Sequence, residues 1–281
     1  MRDLLELAVS AAASGCVYGL VALAYLLMIR PTGIINFAVG EWAMVGAFGG
    51  FLLLSRYEWP YPLGMAAVLA FMFLVGWATE RIAVRPLVER GAPLLAPILA
   101  LLGMLVVFRE AISVSFPPDP HPVPYAIGIE HQKYFIITAT LLTFAGAWLF
   151  FERTVAGKAF EAVAIHRRAA ALMGINLSRV TALSFAGGAA VAGLAGLLVS
   201  PNISAHYLMG VPLAIQGFTA LVIGGVGRVE GALLGGLLLA FAEQLTARYV
   251  PIPSGFTQGV PLVFLMIFLL VRPTGLLKAK A

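Results

Sequence analysis

The sequence is dominated by apolar runs, each near the roughly 20 residues that a helix needs to cross the hydrocarbon core of a bilayer. Seven such runs stand apart from one another: 4–29, 34–54, 63–84, 94–114, 134–151, 180–200 and 256–271. Of the 281 residues, 61% are hydrophobic and 11% are charged, whereas soluble domains carry about 25% charged residues. We therefore predict an all-α, polytopic membrane helix bundle that forms one domain over 1–281, with no room for a soluble catalytic domain.

A further apolar stretch, 212–247, is too long for one simple helix and is interrupted by glycines, Arg228 and Glu230. Because glycine weakens helices and permits turns, the chain must either reverse direction there or form a broken helix. With this stretch included, we predict about eight or nine transmembrane or re-entrant helices.

The positions of lysine and arginine predict an orientation, because basic residues concentrate in cytoplasmic loops. If the loop 152–179 is cytoplasmic, most of the 18 basic residues fall on that side. The N-terminus is then outside and the C-terminus is cytoplasmic. The proline-rich segment 116–131 falls outside, and we predict an extended external loop there because proline disrupts helices.

Residues that carry metal and thiol chemistry are scarce and scattered. The single cysteine, Cys16, lies in an apolar run, and the four histidines are far apart in the sequence: His121, His131, His166 and His206. We therefore expect no metal site and no cofactor. The net charge of +5 is assigned to cytoplasmic loops rather than to a nucleic-acid partner.

Two polar residues, Asn36 and Glu41, lie near the start of the second apolar run. An ionisable side chain within the membrane is unfavourable in free energy, so its presence there indicates a functional role. On an ideal helix the two residues are about 140° apart, so they share a face only if the backbone unwinds near Gly40. We consider them candidates for the lining of a transport path; the alternative is interhelical hydrogen bonding that holds the bundle together.

The glycine-rich interruption supplies further path candidates: Gln216, Thr219, Gly224 and Gly225. Broken helices in transporters expose backbone groups to a cavity, and polar side chains beside the break can face it. The alternative is a tight turn with close helix packing, since small residues recur at intervals of four after the break.

Two charged residues, Arg109 and Glu110, lie near the outer end of the fourth run. Long charged side chains in such positions reach the aqueous interface while their stems stay in apolar surroundings. We predict this arrangement rather than pairing with another helix.

The polar segment 157–176 is too short and too charged to span a membrane, and its alanines favour a helix. We predict one helix that lies across the cytoplasmic surface. It is either an amphipathic helix held at anionic lipid by Lys158, Arg167 and Arg168, or a docking element for a soluble partner.

Four motifs occur in order along the chain: GIINFAVGE at 33–41, GKAFEAVA followed by AALMGINLSRV within 157–180, FTALVIGGVGRVEGALLGG at 218–236, and LLVRPTGLL at 269–277. With these motifs the chain resembles the permease subunits of ABC importers for branched-chain amino acids, specifically the shorter of their two permease types. The resemblance implies a permease of the bacterial inner membrane. Such a permease moves branched-chain or related amino acids by alternating access, with energy from ATP.

The resemblance also implies partners: a second permease that completes a heterodimer, two cytoplasmic ATP-binding subunits, and a periplasmic or surface-tethered substrate-binding protein. It identifies 157–176 as the coupling helix that docks into the ATPase. The coupling candidates are Gly157, Lys158, Glu161, His166, Arg167, Arg168, Gly174 and Asn176. The sequence lacks the phosphate-binding pattern GxxxxGK(S/T), so we expect ATP hydrolysis on a partner and no enzymatic activity of this chain.

The sequence does not exclude other substrates of this permease type, which are urea, short amides, and aromatic or dicarboxylic acids. Val39 stands where the family often has a polar residue, which argues against assuming the usual substrate. A proton-coupled secondary transporter is the alternative from another class, with Glu41, Glu230 and Glu243 as proton relays. A structural or lipid-binding membrane protein is a third.

Overall fold

The computed structural model describes residues 2–249, 259–272 and 275–277. These residues form twelve α-helices: α1 (Arg2–Thr32), α2 (Val39–Gly50), α3 (Tyr61–Thr79), α4 (Arg85–Glu89), α5 (Leu95–Ser115), α6 (Gln132–Arg153), α7 (Val155–Ile165), α8 (Arg167–Leu172), α9 (Leu177–Ile203), α10 (Gly210–Gly224), α11 (Val229–Tyr249) and α12 (Val260–Val271). Short π-helical segments, Phe51–Arg56 and Glu80–Val84, extend α2 and α3. The described residues form no strand beyond an isolated bridge between His121 and Ala205. The predicted all-α class is therefore confirmed for this part of the chain.

Six helical segments among the described residues are long and apolar enough to cross a membrane: Glu6–Thr32, Tyr61–Glu89, Leu95–Ser115, Gln132–Arg153, Leu177–Ile203 and Val229–Tyr249. The predicted membrane bundle is confirmed, but the count of eight or nine is not. Helices α10 and α12 fall short with 15 and 12 residues, because a helix rises only about 1.5 Å per residue. Helix α2 has 12 residues and its π-helical extension has six, and together they carry the charged residues Glu41 and Arg56. The predicted run 256–271 begins outside the described residues, and α12 accounts for the rest of it.

The glycine-interrupted stretch 212–247 turns back on itself. Helix α10 ends at Gly224, α11 begins at Val229, and Gly225 in the turn has a φ of +92°. Gly224 and Gly231 approach so closely that a Cβ on either would collide with the carbonyl group of the other. Of the two arrangements that the sequence allowed, the chain adopts the reversal, and α10 and α11 pack as a helical hairpin.

Helices α1 and α9 form the centre of the bundle. In each of them 72% of the most apolar stretch is buried, compared with 11% in α5. Helix α1 packs against α9, α10 and α11, while α9 also packs against α2 and α3. Helix α5 lies at the periphery, where it contacts α2 and the π-helical segment Glu80–Val84, and only Pro97 and Leu101 among its residues are buried. An apolar helix so little covered presents its surface to lipid or to another membrane subunit.

Direct backbone contact between α2 and α9 depends on glycine. A Cβ on Gly196 would collide with the carbonyl group of Ala43, and a Cβ on Gly46 would collide with the backbone of Gly193. Small residues at helix interfaces permit this approach, and the gain is close packing over both helices. The small-residue repeat of the sixth apolar run therefore serves packing.

We expect Gly196→Ala to lower the free energy of unfolding by about 1–3 kcal/mol, because the added methyl group forces two packed backbones apart. Thermal unfolding of the purified protein in detergent measures the change. Gly103→Ala is the matched control, since a Cβ at Gly103 on α5 meets nothing within 4 Å. Equal melting temperatures for the two variants would contradict the packing argument.

Candidate functional site

Glu41 forms an ion pair with Arg109 inside the bundle. Its carboxylate lies in the first turn of α2 and is 1% exposed, and Oε1 accepts a hydrogen bond from Nη2 of Arg109 on α5 at 2.5 Å. Arg109 is 27% exposed. The interfacial position predicted for Arg109 is therefore wrong, because the buried carboxylate draws the guanidinium inward to a charge of opposite sign.

Helix α10 begins directly against this carboxylate. A Cβ on Gly210, the first residue of α10, would lie 2.5 Å from Oε2 of Glu41. A Cβ on Gly40 would collide with the carbonyl oxygen of Gly210. The start of a helix carries a partial positive charge, which favours a carboxylate beside it. Two glycines thus fix Glu41 at the junction of α2 and α10.

Asn36 lies before α2 rather than on it, so the angular separation expected on an ideal helix does not apply. Its Oδ1 accepts a hydrogen bond from the backbone N–H of Ala38 at 2.9 Å, and its Nδ2 contacts Sδ of Met28 at 3.5 Å. The side chain is fully buried. Asn36 therefore holds the turn between α1 and α2, which in turn positions Glu41.

Gln216 belongs to a second polar cluster, on α10. Its Nε2 contacts Oε1 of Glu243 on α11 at 3.5 Å, and Oε2 of Glu243 accepts a hydrogen bond from the Tyr18 hydroxyl at 2.7 Å. Gln216 also lines a cleft of about 310 Å³ between α10 and α12. Tyr18 was not foreseen, because a tyrosine in an apolar run gives no signal in the sequence.

The remaining path candidates lie farther along α10. Thr219 is fully buried, and its Oγ1 has no hydrogen-bond partner among the described residues. Gly224 and Gly225 lie at the far end of the helix, about 21 Å from Gly210 at 1.5 Å per residue. There the backbone N–H groups of Leu276 and Leu277 bond to the carbonyl oxygens of Ile223 and Gly224 at 2.9 and 3.2 Å.

The structure therefore does not gather the path candidates at one point. It places them in sequence along α10, with Glu41 at the beginning, Gln216 and Thr219 in the middle, and Gly224 and Gly225 at the end. Helix α10 is the element that connects them.

The single helix predicted for 157–176 is wrong. Helices α7 and α8 are separated at His166, which has an extended backbone with φ −151° and ψ 93°. The His166 Nδ1 accepts a hydrogen bond from the backbone N–H of Ala169 at 3.2 Å and so caps α8. Farther on, Gly174 has a φ of +85°, and Oδ1 of Asn176 caps α9 through the N–H of Arg179 at 3.0 Å.

One contact attaches this segment to the end of α1, and a second attaches the end of α1 to the end of α6. The Arg167 guanidinium lies 3.4 Å from the carbonyl oxygen of Pro31, and the Arg30 guanidinium stacks over the Phe151 ring at 5.7 Å from its centroid. A Cβ on Gly157 would collide with the carbonyl oxygen of Phe150, so α7 is pressed against the end of α6. The α7–α8 segment is thus in direct contact with the ends of α1 and α6.

The outer surface of the segment mixes charge with exposed apolar side chains. Lys158 pairs with Glu152 and Glu161 at 3.4 and 3.5 Å, and Arg168 is exposed. Leu172 is 90% exposed and Met173 is 84% exposed. Large apolar side chains exposed beside charged ones are typical of a surface that another molecule covers.

Residues that could hold a metal ion do not group in threes anywhere in the part of the chain described.

Residues 7–271 match the family described as branched-chain amino acid transport system, permease component. The high-affinity branched-chain amino acid transport system permease protein BraD of Pseudomonas aeruginosa is 32% identical over 94% of this chain and 92% of its own length. The corresponding protein LivH of Escherichia coli is 30% identical with the same coverage. The ribose import permease protein RbsC of Haemophilus influenzae is 26% identical over 81% of this chain and 73% of its own.

Among solved structures, PsaBC from Streptococcus pneumoniae in complex with Fab has a similar fold. The TM-score is 0.52, and the match covers 94% of this chain and 91% of that chain at 11% identity. At this identity the similarity concerns the fold alone.

Proposed function

Because the chain belongs to the permease component family of branched-chain amino acid transport systems, we propose that it is the membrane-spanning subunit of an ATP-driven importer. Its substrates are branched-chain or related amino acids. The observation that carries this proposal is the family match over residues 7–271, since this range includes the spans, the polar junction at Glu41 and the α7–α8 segment.

In this proposal, another subunit of the complex supplies the energy for transport. We assign the docking of a cytoplasmic ATP-binding subunit to the α7–α8 segment and the residues that flank it: Gly157, Lys158, Glu161, His166, Arg167, Arg168, Gly174 and Asn176. The exposed side chains of Leu172 and Met173 support this assignment. The contacts of Arg30 and Arg167 near the end of α1 supply a route for the motion.

The proposed assembly contains a second permease, two ATP-binding subunits, a periplasmic or surface-tethered binding protein, and membrane lipids. The uncovered apolar surface of α5 is suited to lipid or to the second permease. The chain itself has no enzymatic role in this scheme, and it is placed in the bacterial inner membrane.

For the orientation, we propose an external N-terminus and a cytoplasmic C-terminus. Support comes from the basic residues at one end of the bundle, where Arg167 lies beside the end of α1 that carries Arg30. The loop 116–131 lies at the opposite end of α6 from this cluster and forms no helix, as an external loop would.

We propose that substrate moves along α10 in alternating access, past Asn36, Glu41, Gln216, Thr219, Gly224 and Gly225. Gln216, Thr219 and Gly224 follow one another along α10, and Glu41 packs against its first residue, which supports a path rather than a single tight site. Asn36 takes part through the turn that positions Glu41. A polar junction in an apolar surface suits leucine-like molecules, which need apolar contact for the side chain and polar partners for the two charged groups.

Uptake by whole cells tests the proposal. A bacterial strain without its own branched-chain amino acid importers should accumulate radiolabelled leucine when it produces this chain with its partner subunits. The strain that lacks only this chain is the control. Equal accumulation in both strains would contradict the proposed function.

A further inference from the structure

The ion pair between Glu41 and Arg109 leaves two polar atoms unused. Oε2 of Glu41 and Nε of Arg109 are both buried, and neither has a hydrogen-bond partner in the described parts of the chain. Buried polar groups in proteins are nearly always hydrogen-bonded. The junction therefore offers one acceptor on a fully buried carboxylate and one donor on the guanidinium that is paired with it.

The chemical complement of these two groups is an α-amino acid zwitterion. Its ammonium group donates to a carboxylate, and its carboxylate accepts from a guanidinium, which forks to meet two oxygens. We propose that Glu41 and Arg109 form a transit site at which the substrate replaces their mutual ion pair, with the ammonium on Glu41 and the carboxylate on Arg109. This inference rests on the proposed function and adds the residues that recognise the substrate during passage.

The exchange leaves no charge without a counter-charge. A lone charge inside a membrane protein is strongly unfavourable, which is why intramembrane charges occur in pairs. In the resting state Glu41 and Arg109 neutralise each other. With a zwitterion between them each side chain again faces an opposite charge, so passage never requires an uncompensated one.

Glu41 is held more firmly in the bundle than Arg109, so Arg109 is the partner that can move when substrate replaces the ion pair. Glu41 is fixed, because Gly40 and Gly210 pack around the junction of α2 and α10. Arg109 sits on α5, the least buried of the spans, and is itself 27% exposed. Separation of the pair therefore needs a change only in the Arg109 side chain or in α5.

Helix α5 also supplies an apolar surface next to the guanidinium. Leu102 and Val106 lie seven and three positions before Arg109, which puts all three on one helix face. Leu102 is 38% exposed and Val106 is 54% exposed. A branched aliphatic side chain can lie along this face while the charged groups of the substrate bind at the junction.

The test compares the reconstituted complex carrying Glu41→Gln together with Arg109→Gln with the wild-type complex. The double variant replaces both charged groups by neutral amides, so no buried charge is left unpaired. We expect leucine uptake to fall about 10- to 100-fold, as for the loss of hydrogen bonds to charged groups. Stimulation of ATP hydrolysis by the loaded binding protein should persist.

Retained leucine uptake in the double variant would overturn the transit site and leave the pair a purely structural contact. Arg109→Lys alone keeps the charge but loses the forked geometry, and we expect uptake to fall severalfold; uptake at the wild-type rate would also overturn the proposal. Glu89→Gln, which removes the charge of a carboxylate that is 58% exposed on α4, is the control and should transport normally. Failure of the wild-type complex to take up leucine would instead refute the proposed function.

Discussion

Replacing Leu172 and Met173 together by aspartate is expected to abolish ATP-driven uptake. Both side chains are more than four-fifths exposed, so the change leaves the interior of the subunit intact. A buried apolar residue at a docking surface commonly contributes about 2 kcal/mol, and loss of both should weaken ATPase binding about 100-fold or more. Uptake of radiolabelled leucine and copurification of the ATP-binding subunit measure the effect.

The matched control keeps the surface apolar, with Leu172→Ile and Met173→Leu. This variant should bind the ATP-binding subunit and transport leucine like the wild type. If the aspartate variant bound its ATPase normally and transported at full rate, the α7–α8 segment would not be the docking site. The alternative of lipid attachment predicts such a result, with weaker association of the segment with anionic vesicles.

Arg109→Met alone is expected to destabilise the subunit severely. It leaves the Glu41 carboxylate, which is 1% exposed, without its counter-charge among apolar helices. Removal of one partner from a buried ion pair costs about 3–5 kcal/mol, because the remaining charge stays desolvated. Thermal unfolding in detergent should show a large fall in melting temperature.

Glu89→Gln provides the comparison, since it breaks an arginine–glutamate pair whose carboxylate lies at the surface. The Glu89 side chain is 58% exposed, and ion pairs with an exposed partner contribute little to stability. We expect no measurable change in melting temperature for this variant. Similar melting of the Glu89 and Arg109 variants would mean that the Glu41–Arg109 pair is solvated rather than buried.

The sequence predicted the all-α class and the long membrane helices of this bundle, but not their number, because length and hydropathy are properties of one segment at a time. It also identified Glu41, since a carboxylate in an apolar run is conspicuous. Its partner was missed because Arg109 is 68 positions away, and nothing local to either residue specifies the pairing. The prediction that Arg109 reaches the aqueous interface followed from its position near a helix end. The tertiary contact with Glu41 instead holds its guanidinium inside the bundle.

Two helix boundaries were missed for a different reason. The run 34–54 was predicted as helical from its start, but α2 begins only at Val39 because the Asn36 side chain bonds to the Ala38 N–H and so holds a turn. The break at His166 contains neither proline nor glycine, so helix propensity did not predict it. Competition between side-chain and backbone hydrogen bonds decided both boundaries.

The glycine-rich interruption, in contrast, was predicted at the right place in the sequence. Their concentration between 224 and 236 predicted an interruption, and the two possible forms, a turn or a broken helix, could not be separated from composition. The turn forms because Gly225 adopts a positive φ and because Gly224 and Gly231 meet backbone to backbone. Only the pairing of α10 with α11 distinguishes the two forms, and that pairing is not a local property.

In the proposed function, this chain imports branched-chain amino acids with energy from ATP that a partner subunit hydrolyses. The most direct test is leucine uptake by proteoliposomes that contain the complete complex, with the binding protein outside, ATP inside and a proton ionophore present. We predict accumulation that requires ATP and is unaffected by the ionophore. Uptake that proceeds without ATP and collapses with the ionophore would contradict the account and identify a proton-coupled transporter.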